Sequence, residues 1–161
     1  MAFQSTWYFS QLPKKVIDLI ETEISEDSTL SDDHWMCGFV WHYILKANRE
    51  NFLYKLSGFD GESIKFKKYN EGDFQSWHVD QKPVDGDEEV RKLSFTIQLS
   101  DYDEYEGGNV QLMDEVGGRY YLPRQRGVVA IFDSQSTHRV QKVTKGTRKS
   151  LVGWCVGPQW S

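Results

Sequence analysis

The chain has 161 residues, enough for one domain with a sizeable core. Hydrophobic residues make up 39% and charged residues 27%, a composition that excludes a chain disordered throughout. The formal net charge of −5 argues against a general nucleic-acid-binding protein, because such proteins displace counterions with a positive surface.

Targeting and redox signals are weak. No stretch approaches the roughly 18 apolar residues of a membrane-spanning helix, and we expect no membrane association. Residues 1–5 contain no positively charged side chain and no long apolar run, so no signal peptide is predicted. Cys37 and Cys155 are too few for a disulfide scaffold, and we interpret both as free thiols in a reducing cytoplasm.

Two amphipathic segments near the start predict helices. The first runs from Leu12 to Ile24 and has apolar residues at helical spacing. The second runs from Asp32 to Asn51, with Ser31 as a suitable N-cap. Together they form a predicted helical support over about residues 10–51.

Beyond residue 51 the apolar residues recur with a period of two, which predicts strands. The clearest case is Leu93–Ser100, where apolar and polar residues alternate strictly. Eight strands are predicted, at residues 63–69, 75–80, 93–100, 108–113, 119–122, 127–132, 138–143 and 148–156. Two helices followed by such strands favour an α+β fold, a jelly roll with the helices on one side. We expect residues 1–161 to form a single domain, with the jelly-roll core at about 52–158.

The segment from Gln81 to Arg91 differs from its surroundings. It is rich in charged residues and contains Gly86, a composition typical of a loop with few core contacts. It directly follows a predicted strand that ends in polar residues. We therefore predict a lid that closes over a site at this strand end.

Four histidines are candidates for metal binding. His34 and His42 lie in the second predicted helix without a suitable partner, and we interpret them as structural or exposed. His78 and Asp80 lie two residues apart on a predicted strand, so both side chains point to the same face. His138 follows another apolar strand. Two imidazoles and one carboxylate on one side of an octahedron leave three positions for further ligands.

Arg148 adds a second element to this set. The three open positions suit a bidentate 2-oxo acid and then O2, and a planar guanidinium can hold the distal carboxylate of 2-oxoglutarate. Arg148 lies ten residues beyond His138, on the last predicted strand. The four residues together therefore indicate a non-haem Fe(II) oxygenase.

Three segments in this order resemble 2-oxoglutarate oxygenases of the prolyl 4-hydroxylase type. Tyr69–Asp80 is similar to their Tyr-x-x-Gly-x-x-x-x-x-His-x-Asp segment, and Tyr105–Asn109 resembles their Gly-Gly strand entry. His138–Trp154 resembles their C-terminal signature, particularly in the bacterial and phage PKHD-type branch. The resemblance covers about residues 64–158.

The resemblance implies a double-stranded β-helix and a set of site residues. His78, Asp80 and His138 would bind Fe(II), and Arg148 would bind the C5 carboxylate of 2-oxoglutarate. Further contacts to this cosubstrate are expected from Ser150, Tyr69 and Gln98. Many animal prolyl hydroxylases have a tyrosine where this chain has Gln98, so its hydrogen bonding to the cosubstrate is expected to differ. O2 is the second cosubstrate, and ascorbate is a candidate reductant.

The expected reaction is hydroxylation of a C–H bond with release of succinate and CO2. The resemblance favours a prolyl residue in a peptide or protein as the substrate. The acidic net charge disfavours a nucleic-acid substrate. Two alternatives remain open at this point. One is hydroxylation of a free amino acid or small molecule. The other is a catalytically silent jelly-roll binding module, since the fold hosts many functions. The sequence does not indicate an oligomeric state.

Overall fold

The computed structural model describes residues 5–24, 28–61, 63–80 and 88–160. The first half of the chain contains β1 (Trp7–Gln11), α1 (Lys14–Glu23), β2 (Thr29–Leu30), α2 (Trp35–Ala47), a π-helical turn (Asn48–Phe52), β3 (Gly58–Phe59), β4 (Ile64–Tyr69) and β5 (Gln75–His78). The second half contains β6 (Val90–Gln98), β7 (Tyr105–Gly107), β8 (Val110–Met113), β9 (Arg119–Tyr121), β10 (Val128–Asp133), β11 (Thr137–Val140), β12 (Val143–Gly146) and β13 (Arg148–Gly157). No helix in the described ranges has the length and apolar character needed to cross a membrane.

Two antiparallel sheets enclose a shared interior. The larger sheet has the strand order β1-β10-β6-β13-β4-β2, and β3 pairs with β13 beside it. The smaller sheet has the order β5-β11-β8-β9, and β7 pairs with β12 as a separate ribbon. Side chains from both sheets line one cavity. This arrangement is a jelly roll of the double-stranded β-helix kind.

Both helices cover the outer face of the larger sheet. The buried helix residues Ile17, Ile20 and Ile44 belong to the same apolar cluster as Phe95 and Ile131 of the sheet. Removing this surface from water is the main force that holds the helical layer in place. The predicted α+β jelly roll with its helices on one side is confirmed.

Strand β6 is buried on both faces. Its apolar side chains, among them Leu93 and Ile97, join the core beneath the helices. Ser94 and Gln98 point the opposite way and are also buried, toward the interior of the jelly roll. The alternation of apolar and polar residues along β6 therefore sends apolar side chains to the helical core and polar side chains to the jelly-roll interior. Because the strand is covered on both sides, neither face meets solvent.

The strands differ from the predicted set in several places. β1, β2, β3 and β7 were not predicted, and β1 pairs along its whole length with β10, with Trp7 opposite Phe132. The strand predicted over residues 75–80 ends at His78, so Asp80 lies just beyond it. The strand predicted over residues 138–143 is divided at residues 141–142, between β11 and β12. The chain then moves on to β12, which pairs with β7 instead of the smaller sheet.

Helix α2 begins later than predicted. Its N-cap is His34, whose Nδ1 accepts a hydrogen bond of 3.1 Å from the backbone N–H of Met36. The predicted cap, Ser31, is wrong, since its hydroxyl bonds the side chain of Asp33 instead. Several polar residues precede this helix, and only the tertiary contacts decide which of them caps it.

The predicted lid, Gln81–Arg91, falls mostly outside the described residues. Residues 81–87 are not among them, so the lid stays a prediction for that part. The end of the segment is different, because Val90 and Arg91 are the first residues of β6. Arg91 ion-pairs with Asp60 at 2.7 Å, which fixes the end of the segment in the fold.

Cys37 and Cys155 are both free and buried in the core beneath the helices. Burial raises the pKa of both thiols above its ordinary value. The thiols are therefore protonated at neutral pH, and such groups behave as small apolar side chains with low reactivity.

Candidate metal centre and adjoining pocket

Three potential metal ligands converge where β5 ends and β11 begins. His78 and His138 lie directly opposite each other in the register of the smaller sheet. Asp80 follows two residues after His78, and its Oδ1 lies 3.4 Å from Nε2 of each histidine. The three ligand atoms all lie within 4.8 Å of one another. The sequence separates them by up to 60 residues, and strand pairing brings them together.

Backbone carbonyl groups fix the orientation of both imidazoles. Nδ1 of His78 bonds the carbonyl oxygen of Ser76 at 2.7 Å. Nδ1 of His138 bonds the carbonyl oxygen of Ser136 at 2.9 Å. A carbonyl oxygen can only accept, so each Nδ1 carries a proton, and in the neutral imidazole the lone pair is then on Nε2. Both free lone pairs belong to the nitrogens that face Asp80.

The Asp80 carboxylate is held by one oxygen and leaves the other for a ligand. Ser94 donates its hydroxyl to Oδ2 at 2.6 Å, and the indole N–H of Trp154 donates to the same oxygen at 2.9 Å. Oδ1 is the atom that faces His78 and His138. Such supporting contacts orient a metal ligand before the ion arrives.

The electrostatic surroundings keep Asp80 ionised. Burial alone would raise its pKa, but interaction with His138 and hydrogen bonds from Ser94 and Trp154 lower the pKa to about 2. The site thus places one ionised carboxylate beside two imidazole rings. This donor set, with three positions left open, is the one that non-haem Fe(II) sites use.

A cavity of about 170 Å³ lies between the two sheets, beside the three ligands. Its lining includes Tyr69 on β4 and Arg148 on β13, which are directly opposite each other in the register. Arg148 is 2% exposed, and its guanidinium carbon lies 5.6 Å from the centre of the Tyr69 ring. The cavity therefore joins a metal-type centre to a buried cation.

Arg148 has no anionic partner in the described part of the chain, although the nearby phenol groups of Tyr105 and Tyr69 favour its charge. Burial lowers the pKa of its guanidinium, and these phenols partly offset that effect. A buried charge without a counter-ion is unfavourable, and an anionic ligand would relieve it. This end of the cavity fits the carboxylate of a ligand.

Residues 64–156, more than half of the chain, match the 2OG-Fe(II) oxygenase superfamily. The chain belongs to this superfamily. A PKHD-type hydroxylase of Idiomarina loihiensis is 34% identical over 92 residues, which cover 56% of this chain and 40% of that protein. The predicted resemblance to PKHD-type enzymes is confirmed. The chain spans less than half the length of this relative.

Solved structures of prolyl hydroxylases share the fold of this oxygenase. A prolyl-4-hydroxylase from Pseudomonas putida matches with a TM-score of 0.73 and 18% identity, over 93% of this chain and 91% of that one. A viral collagen prolyl hydroxylase from Paramecium Bursaria Chlorella virus-1, in complex with 2OG, matches with a TM-score of 0.75 and 12% identity, over 96% and 97%. At such identities the likeness establishes the fold alone.

Two hydroxyl groups near Arg148 lack a hydrogen-bond partner among the residues that the structure describes. Thr96 Oγ1 and Ser150 Oγ are both buried and unpaired within the described residues. Thr96 lines the cavity, and Ser150 lies two residues beyond Arg148 on β13. Ser150 was predicted as a cosubstrate contact, but Thr96 was not. The sequence feature that could have pointed to Thr96 is its spacing of two from Gln98, which places both side chains on the same face of β6.

Gln98 lies beside the oxygenase cavity and does not line it. Its side-chain amide donates a hydrogen bond of 2.6 Å to the hydroxyl of Tyr105. Both residues border a smaller cavity that also touches Arg148. The predicted role of Gln98 in cosubstrate binding stays a prediction, and any such contact has to compete with the bond to Tyr105.

Trp154, Ser94 and Arg91 support the site, and none of them was predicted to do so. Trp154 lines the cavity, which agrees with its even spacing from Arg148 on the same strand. Its hydrogen bond to Asp80 joins residues 74 positions apart, so local spacing could not predict it. The guanidinium carbon of Arg91 lies 4.1 Å from the centre of the Trp154 ring. Arg91 also donates to the backbone oxygen of Asp80 at 3.3 Å.

The other two histidines lie away from this site. His34 caps α2 and lies 3.3 Å from a carboxylate oxygen of Glu23. The rings of His42 and Tyr43 pack at nearly a right angle to each other. Neither belongs to a cluster of metal-type ligands in the part of the chain that the structure describes.

Proposed function

We propose that this chain is an Fe(II)- and 2-oxoglutarate-dependent hydroxylase whose iron ligands are His78, Asp80 and His138. The observation that carries the proposal is the cavity that joins these three groups to Arg148. A metal centre alone would suit many proteins. A buried guanidinium that has no anionic partner among the described residues, and that lies in the same cavity as that centre, suits a dicarboxylate cosubstrate in particular.

Iron with 2-oxoglutarate and O2 supplies the oxidising chemistry of the superfamily, in which the cosubstrate leaves as succinate and CO2 and a substrate C–H bond becomes C–OH. The protein supplies binding, orientation and exclusion of water. His78 and His138 would bind the metal through Nε2, because their Nδ1 atoms donate to backbone oxygens. Asp80 presents Oδ1, because Ser94 and Trp154 retain Oδ2.

Arg148 binds the far carboxylate of 2-oxoglutarate in this proposal. Its fork geometry allows two parallel hydrogen bonds, and desolvation makes them stronger than on a surface. The unpaired hydroxyls of Thr96 and Ser150 donate to the same carboxylate. Tyr69 completes the wall beside Arg148, and Gln98 acts through its bond to Tyr105.

The substrate we propose is a prolyl residue in a peptide or protein. Two features support it: the prolyl hydroxylase fold and the motifs shared with the PKHD-type branch. A free amino acid or other small molecule is the competing substrate class. A silent binding module is disfavoured, since such a module has no need for a buried cation facing a metal centre.

The test is turnover of the purified protein loaded with Fe(II) without oxygen and then given 2-oxoglutarate, air and proline-containing peptides, with and without ascorbate. We expect succinate in step with the gain of one oxygen atom by a peptide, measured by mass spectrometry. Asp80→Ala is the inactive control. Succinate release with free amino acids alone would redirect the substrate class. Absence of both metal binding and 2-oxoglutarate binding would refute the proposed function.

A further inference from the structure

The outer face of the smaller sheet carries residues that the proposed chemistry does not use. Strand alternation places Trp77 and Arg139 on this face, because their neighbours His78 and His138 point into the jelly roll. Arg139 lies opposite Gln111, and Gln111 lies opposite Tyr121, so these residues form a row across the sheet. We call this surface the cationic face.

Two guanidinium groups lie against one indole on the cationic face. The guanidinium carbon of Arg139 is 4.6 Å from the centre of the Trp77 ring, and that of Arg119 is 5.7 Å from it. Arg139 also donates its Nε–H to Gln111 at 3.0 Å. These contacts hold the Arg139 side chain in place, and its remaining N–H donors are left for another partner.

The four described strands that form the cationic face carry no negative charge. The strands β5, β8, β9 and β11 read QSWH, VQLM, RYY and THRV, without a single aspartate or glutamate. Within the described ranges, Arg119, Arg139 and the nearby Lys142 form no ion pair with a carboxylate. The whole chain has a net charge of −5, so this concentration of unpaired cations runs against the overall balance.

The cationic face also lacks a covering layer in the described part of the chain. The helices cover the larger sheet, whereas Tyr121 on the smaller sheet is 57% exposed. A surface groove of about 400 Å³ runs beside Trp77 and Arg139. Phe74 at the edge of this groove is also 57% exposed, with the amine of Lys142 at 5.7 Å from its ring centre. Exposed aromatic residues next to cations are typical of binding surfaces.

We propose that the cationic face docks an acidic protein segment, rich in aspartate and glutamate, at a site separate from the metal centre. Arginine forks match carboxylates in a planar, two-bond geometry, and the groove gives an extended peptide room beside them. The docking site does not depend on the hydroxylase activity.

An acidic peptide fits better than single-stranded nucleic acid. Bases bind such surfaces by stacking on aromatic rings, and two guanidinium groups already lie against Trp77, the largest ring on this face. A long polyanion would also be repelled by the rest of a chain with a net charge of −5, whereas a short acidic segment meets mainly the local cations.

The probe is a short fluorescein-labelled peptide of alternating glutamate and glycine, titrated with the protein in low-salt buffer while fluorescence anisotropy is recorded. We expect saturable binding that weakens as salt is added, because exposed charge pairs are screened. The double variant Arg119→Gln with Arg139→Gln should bind at least about tenfold more weakly, since two charge-assisted contacts are lost. A lysine–glycine peptide should not bind.

The matched control carries the same loss of charge elsewhere. Lys15→Gln with Arg49→Gln removes two exposed cations from the helical layer and should leave the affinity within about twofold. Arg119→Gln alone, at the exposed edge strand β9, serves if the double variant does not fold, and should weaken binding about threefold or more.

Three outcomes would overturn the docking site. These are no binding by the unaltered protein, equal weakening in the control variant, or tighter binding of single-stranded oligothymidylate than of the acidic peptide. The last outcome would assign the face to nucleic acid. Turnover of 2-oxoglutarate does not enter any of these measurements, so the docking site and the proposed hydroxylase stand or fall separately.

Discussion

The two ends of the central cavity are prepared in different ways. At the metal end, the polar atoms of the three ligand residues that do not face the metal position already have hydrogen-bond partners. Nδ1 of His78 bonds the carbonyl of Ser76, for example, and Oδ2 of Asp80 accepts from Trp154. At the other end the Arg148 guanidinium has no anion, and the hydroxyls of Thr96 and Ser150 have no partner within the described residues. One end is organised before its ligand binds, and the other is completed by its ligand.

This difference has an energetic consequence. A metal site held by supporting hydrogen bonds needs little rearrangement, so its ligand positions should persist without the ion. Buried groups without partners destabilise the free protein, and a bound dicarboxylate would remove that penalty. Substitutions at the two ends should therefore have opposite effects on the stability of the ligand-free protein.

The largest effect is expected at Asp80. Asp80→Ala removes the only carboxylate among the three ligands and leaves two imidazoles, so metal affinity should fall by at least about a hundredfold and turnover should be lost. Isothermal titration with Mn(II), a redox-stable stand-in, measures the affinity directly. Retained tight binding of Mn(II) would remove Asp80 from the ligand set. His42→Ala, in the helical layer, is the matched control and should bind the metal normally.

Arg148 gives the next largest effect, and it tests the other end of the cavity. Arg148→Met keeps most of the volume but removes the buried cation, so 2-oxoglutarate should bind roughly ten- to a hundredfold more weakly. Metal affinity should not change. The ligand-free variant should melt at the same temperature as the parent protein or higher, because an uncompensated buried charge is lost.

Calorimetry and thermal melting with and without 2-oxoglutarate check both parts of the Arg148 prediction. The parent protein should be stabilised by the cosubstrate, and the variant much less. Lys149→Met, one residue further along β13 and on the opposite side of the strand, is the control. Unchanged 2-oxoglutarate affinity in Arg148→Met would show that the cavity binds its ligand elsewhere.

A smaller effect is expected from the support of Asp80. Trp154→Phe removes the N–H donor to Oδ2 but keeps an aromatic ring, and metal affinity should fall by about tenfold. Competition with a chelator for Mn(II) measures this. Trp41→Phe is the control, since that ring packs on Phe59 in the helical layer. Equal metal affinity in both variants would mean that Trp154 only walls the cavity.

The smallest effect is expected from Thr96→Val, a substitution of nearly equal shape. The 2-oxoglutarate affinity should fall about two- to tenfold, because one hydrogen bond to the carboxylate is lost. The ligand-free variant should be slightly more stable, since an unpaired buried hydroxyl is replaced by a methyl group. Thermal melting and calorimetry distinguish the two effects. A gain in stability without a change in affinity would make Thr96 a bystander, and Thr22→Val on the surface of α1 provides the baseline.

The sequence predicted those parts of the site that follow from local geometry. Residues two apart on a strand share a face, and this rule related His78 to Asp80 and Arg148 to Ser150. It also gave the alternation of β6, whose polar face is buried toward the interior of the jelly roll. Periodicity shows which residues share a face, but not what covers that face.

The supporting contacts could not be predicted from local pattern. The bonds that Trp154 and Ser94 donate to Asp80 depend on how β13, β6 and the end of β5 meet in space. The bond between Gln98 and Tyr105 likewise depends on where the ribbon of β7 and β12 lies. These contacts are set by pairing between strands that are distant along the chain, and a single sequence carries little record of them.

Strand β6 has a consequence for how this sequence can vary. Its side chains face either the helical core or the interior beside the cavity, so few of its central positions can accept a new side chain freely. If a library of all single substitutions is selected for folded protein, few substitutions in this strand should survive, on either of its faces. Protein engineers who want to alter the substrate range would do better to leave β6 intact and diversify the loops at the rim.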